Sequence, residues 1–119
     1  MLILSPTSLK ILVLDSSTAL TLAVESGPEG DAAKAEGADY LLVGPGYATA
    51  THPDRTPLGL ETLAEICRLG LPVIAIGGIG PGRAREVKAA GAYGAAAIRA
   101  LWDAADPADA SRGMLEELQ

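Results

Sequence analysis

The stretch RLGLPVIAIGG (Arg68–Gly78) decides how this chain folds. Gly70 stands where a helix can close its last turn in the left-handed conformation, and Pro72 bars that helix from resuming. Val73 to Ile76 follow without a polar break, so a strand there has both faces buried. The same order of helix end, glycine and apolar run recurs twice, as AEGADYLLVG (Ala35–Gly44) upstream and AAGAYGAAAI (Ala89–Ile98) downstream. Strands apolar on both faces belong to parallel sheets with helical cover. Repeated units of this kind make an α/β protein, either a doubly wound sheet or a barrel.

The flanking helices agree. Leu60, Leu63, Ala64 and Cys67 are spaced i, i+3, i+4, i+7 and predict one apolar stripe. Pro81 suits the first turn of the next helix, with Ala84 and Val87 facing inward and Gly91 ending it. A last helix takes Asp106 as N-cap and Pro107 as its first residue, and buries Ala110, Met114 and Leu118 with Leu115 beside them. Upstream, Gly27, Pro28 and Gly30 lead into a short helix ending near Glu36. Lys10 to Leu14 and Leu20 to Val24 read as strands with Asp15 to Ala19 as a turn between them. Five residues cannot hold a crossover helix, so these segments form either an antiparallel hairpin or one strand followed by irregular chain.

At 119 residues the chain is expected to be one domain. There is no Phe, and aromatic residues make up 3% of the whole, so the core has to come from Ala, Val, Ile and Leu. The net charge of −6 and the scattered Lys and Arg argue against nucleic acid, which demands a basic stripe. One cysteine, Cys67, excludes an internal disulfide and a Cys-based zinc site; on a helix's apolar face it reads as a small buried hydrophobe. The apolar start, MLILSPTSLKILVLD, is broken by Ser5, Pro6 and Thr7 and has neither a basic n-region nor an A-x-A site. No signal peptide and no membrane association are therefore expected, and the location expected is cytoplasmic.

Three segments could carry chemistry. The connection GPGYATATHPDRTPLG (Gly44–Gly59) is long for a strand-to-helix loop. It holds Thr49, Thr51, His52 and Arg55, whose donors suit phosphate oxygens, although a polar surface excursion has the same composition. In VIAIGGIGPG a buried strand runs into Gly77 and Gly78, whose unshielded amides allow a phosphate to approach. The bland alternative is a tight strand–helix junction. In AAAIRALWDAADP, Arg99 stands where a strand leaves the core and either reaches an anion beside Gly78 or pairs with Asp103. Trp102 reads as a packing residue over the end of the sheet.

Taken in order and spacing, GADYLLVGPGYATATHP, LGLETL, PVIAIGGIGP and AAIRALWDAADP resemble the thiamine phosphate synthase and thiazole tautomerase family from about residue 20 to 119. IGGI alone is shared by many phosphate-binding barrels; a G-P-x-x-x-T-x-T loop about thirty residues before it is more specific. The resemblance implies a partial, half TIM-type (β/α) barrel, the C-terminal half of a phosphate-binding (β/α)8 fold, with parallel strands alternating with helices. The family joins a thiazole phosphate to a pyrimidine diphosphate with Mg2+ and releases pyrophosphate. By resemblance Thr49, Thr51, the Gly78 amide and the backbone at Ile98 and Arg99 would hold the thiazole phosphate. His52 would face the diphosphate where the family has Lys.

The departures from the family are specific. An eight-stranded barrel takes roughly 200 residues or more, and the half expected to carry the diphosphate and Mg2+ ligands is not represented. No ligands for Mg2+ are identified in this chain. His52 is a weaker anion clamp than Lys, being mostly neutral at pH 7. Tautomerases use a His directly after the first loop glycine, where this chain has Pro45. Three readings result: a synthase-like enzyme of thiamine biosynthesis, a non-catalytic or vestigial phosphate-binding half-barrel that acts only in an oligomer, and an assembly unit. A homodimer or higher oligomer is expected, because a half barrel leaves strand edges open.

Overall fold

A computed structural model describes residues 2–4, 21–44, 47, 57–97 and 99–119. The elements run β1 (Leu2–Leu4), β2 (Thr21–Val24), α1 (Gly27–Ala35), β3 (Tyr40–Val43), α2 (Gly59–Cys67), β4 (Val73–Ile76), α3 (Arg83–Ala89), β5 (Gly94–Ala97), α4 (Arg99–Trp102) and α5 (Pro107–Leu118). The sheet has the order β1-β5-β4-β3-β2. From β2 to β5 every pairing is parallel, each strand lying beside the next in sequence with a helix between, as one arc of a TIM-type barrel.

Side chains alternate across this sheet. Leu41, Val43, Val73, Ala75, Ala95 and Ala97 point to the helices and join Leu63, Ile66, Val87, Met114 and Leu118 in the main core. Tyr40, Ile74 and Ala96 form a second cluster on the opposite face, with Leu42, Ile76 and Tyr93 partly buried against it. Two apolar faces are what strands without polar alternation demand. β5 is built of small residues throughout, and Met114 and Leu118 of α5 are fully buried as the sequence predicts.

Two other helix ends follow the sequence, whereas α3 starts at Arg83 with Gly82 as its N-cap at φ 85°, which leaves Pro81 outside the helix. Asp106 caps α5, its Oδ1 accepting from the Asp109 amide at 3.1 Å, and Ser26 does the same for α1 through the Glu29 amide at 3.2 Å. After α1, Gly37 N–H donates to Lys34 and Ala38 N–H to Ala33; after α3, Gly91 N–H donates to Lys88 and Ala92 N–H to Val87. Both are the paired closing bonds of a Schellman turn, with glycine at φ 90° and 111°.

Four expectations change. Gly27 and Gly30 do not lead into α1 but lie inside it, where that helix packs closely on α2: a Cβ at Gly27 would sit 2.7 Å from the Glu65 side chain, and one at Gly30 3.6 Å from that of Ile66. The buried face of α2 is Leu63 and Ile66, and Leu60 is exposed, so the stripe is rotated from the one read by spacing. Trp102 is 75% exposed; the inward position of the one-turn α4 is taken by Leu101. β1 pairs antiparallel with β5, Leu2 opposite Ala97 and Leu4 opposite Ala95, and gives the β5 edge a partner. Of the two early strands, Leu20 to Val24 corresponds to β2, and Lys10 to Leu14 lies outside the described residues. Cys67 is half-buried, and burial pushes its thiol pKa up, in keeping with a packing role.

Candidate anion cradle at the strand ends

Parallel register brings the C-terminal ends of β3, β4 and β5 to one edge, with Val43 beside Ala75 and Ala75 beside Ala95. The first junction is fixed by a close approach: a Cβ on Gly44 would lie 2.3 Å from the Ile76 carbonyl oxygen, so only glycine fits there. Three residues further on, the Tyr47 amide donates to Gly77 O at 3.0 Å and ties the loop after β3 to the loop after β4. Gly77 and Gly78 take φ of 97° and 69°, a turn that a side chain would strain. On the other side, a Cβ at Gly80 would come 3.3 Å from the Ala100 methyl, so this loop also abuts α4, the segment that follows β5. Three strand exits therefore adjoin.

The sequence-predicted residues divide accordingly. Gly77 and Gly78 lie at the centre of this edge, and Arg99 opens α4 next to it. Arg99 makes an ion pair with Asp103 at 3.6 Å, one of the two alternatives open from sequence; the pair is largely exposed and contributes little to stability. Thr49, Thr51, His52, Arg55 and Ile98 lie outside the described residues.

Three residues that the sequence did not single out surround the glycines. The Arg83 guanidinium donates to Gly78 O at 2.8 Å and lies 4.3 Å from the centre of the Tyr47 ring, a cation–π distance. The Tyr47 hydroxyl donates to Glu86 Oε2. Burial, reinforced by the hydrogen bond to Glu86 and its negative charge and opposed by Arg83, pushes the Tyr47 phenol up to about 12. The only hint in the sequence is the i, i+3 spacing of Arg83 and Glu86 on one helix. Glu117 of α5 accepts from the amides of Gly82 at 2.6 Å and Arg85 at 3.3 Å, closing the start of α3.

Among the described residues, no three of His, Cys, Asp and Glu gather to hold a metal ion. No described helix is long and apolar enough to cross a membrane.

Residues 8–101 match the family model for thiamine monophosphate synthase. The chain belongs to that family. It is 41% identical over 109 residues to the thiamine biosynthesis bifunctional protein ThiM/ThiE of Symbiobacterium thermophilum, covering 90% of this chain and 23% of that protein. Thiamine-phosphate synthase of Moorella thermoacetica is 44% identical over 99 residues, 80% of this chain and 47% of the relative. The solved structure of thiamine phosphate pyrophosphorylase from Pyrococcus furiosus superposes with a TM-score of 0.75 at 36% identity, over 88% of this chain and 52% of that one. The chain thus spans about a quarter to a half of the length of these family members.

Proposed function

We propose that the chain is a synthase-like protein of thiamine biosynthesis that binds thiazole phosphate through the loops after β3, β4 and β5. The observation that carries this reading is the meeting of three strand exits around Gly77 and Gly78. The turn lies at the end of a parallel sheet, where barrel proteins of this kind hold phosphate. The Gly78 amide would donate to the phosphate, with Thr49, Thr51 and the backbone at Ile98 and Arg99 completing its shell and His52 facing the diphosphate. The second reading is a non-catalytic half-barrel module that keeps the cradle without the chemistry. A cradle needs only these local loops, whereas the coupling reaction also needs groups that hold the diphosphate and Mg2+.

A second copy of the chain is the partner this reading expects. β2 is an edge of the described sheet, and a half barrel must cover such an edge. Sedimentation of the purified chain should show a dimer or larger species.

Titration with thiazole phosphate and with the pyrimidine diphosphate separates the readings. Binding of both with turnover in Mg2+ establishes the enzyme. Thiazole phosphate binding without turnover supports the module, and if neither ligand binds both readings fall.

A further inference from the structure

We infer that Arg83 and Tyr47 are positioning residues that aim the amides of Gly78 and Ile79 at the anion, a role resting on the phosphate-binding reading above. In a trans peptide the carbonyl and the N–H of one plane point in opposite directions. Gly77 O is held by the Tyr47 amide, so the Gly78 N–H in the same plane points away from Tyr47. Gly78 O is held by the Arg83 guanidinium, so the Ile79 N–H points away from Arg83. The Arg83 guanidinium lies 4.3 Å from the Tyr47 ring, so the residue that holds Gly78 O packs on the side chain of the residue whose backbone amide holds Gly77 O. No described residue accepts from either amide. Glu86 keeps the tyrosine ring beneath the guanidinium by accepting from its hydroxyl.

The arrangement explains a cost. Two consecutive glycines at positive φ form a turn with no side chains to hold it, and an unrestrained Gly-Gly peptide samples many orientations. Donors preorganised toward an anion bind it better than donors that must first be ordered. Arg83 thus acts through the Gly78 carbonyl and does not touch the ligand, and Ile79 supplies a second donor.

The test uses the 15N-labelled full chain and thiazole phosphate. Arg83→Met should move the Gly78 and Ile79 amide signals of the free protein and weaken thiazole phosphate binding about tenfold, with the melting temperature nearly unchanged. Arg83→Lys, which can still donate to Gly78 O, should recover most of both. Tyr47→Phe keeps the ring and its backbone amide and loses only Glu86, so it should cost about two- to threefold. Weaker binding with unmoved signals in Arg83→Met would mean direct contact with the ligand and would overturn the inference. So would moved signals with unchanged affinity. If the wild-type chain binds no thiazole phosphate, the functional reading fails by itself. The free-protein signals of Arg83→Lys beside Arg83→Met then decide whether the carbonyl is held.

Discussion

Where the chain enters its strands, the connections repeat; where it leaves them, no two are alike. Before β3, β4 and β5 a helix closes, a glycine takes φ of 90°, 91° or 111°, and the strand begins within a few residues. On leaving, β3 runs into a loop tied to Gly77, β4 into a double glycine gripped by Arg83, and β5 into the single turn of α4. The entry end solves one geometric problem three times and needs only a turn closer and an apolar run. At the exit end, each loop is held by groups from another part of the chain. Stability should therefore dominate changes at the first end, and ligand affinity should be added to it at the second.

Gly44→Ala should have the largest effect. Its Cβ would meet a backbone carbonyl that cannot step aside without parting β3 from β4, so a loss of about 3 kcal/mol or more is expected in urea denaturation, together with lost thiazole phosphate binding. Unchanged binding would mean that this end is no more functional than the other. Gly91→Ala comes next at about 2 kcal/mol: the positive φ is strained, and the new methyl meets Cys67 Cβ at 3.0 Å. Gly37→Ala should cost about 1 kcal/mol, because it has the strained φ with nothing within 4 Å of the new atom. Neither entry-end variant should alter thiazole phosphate affinity, and a loss there in a stably folded Gly37→Ala would break the distinction between the two ends.

The smallest effect is alkaline. The Tyr47 phenol is raised in the folded state to about 12 from an ordinary 10.0. Its contribution to stability is fully present below pH 10 and is lost as pH rises toward 12, because the unfolded chain gives up the proton first. Tyr47→Phe should flatten that part of the stability profile, read by denaturation between pH 9 and about 11.5. An unchanged profile would mean that burial and Glu86 do not raise the phenol in the folded state.

Parts of the strand-exit turn were legible and parts were not, for a local reason. Gly77 and Gly78 could be picked out because a glycine pair after a buried strand is informative at short range. Arg83, Glu86 and Tyr47 could not, since 39 residues separate the tyrosine from its carboxylate partner and no periodicity links them. Trp102 was misplaced because a one-turn helix has no amphipathic pattern to show which of Leu101 and Trp102 turns inward. The helical stripe at Leu60 erred in a similar way: spacing identifies a face, while the neighbour that covers it selects among adjacent faces.

Residue order by itself determined the succession of helices and parallel strands, their glycine closures and caps, and the family. Each of these depends on backbone preferences and apolar runs within about ten residues. Only the tertiary structure decided that Leu2–Leu4 would lie antiparallel against Ala95–Ala97, that α1 would press its glycines onto α2, and that Tyr47 and Arg83 would stack beside the Gly77–Gly78 turn. Those arrangements depend on which distant surfaces meet, and a chain's local preferences carry little record of that.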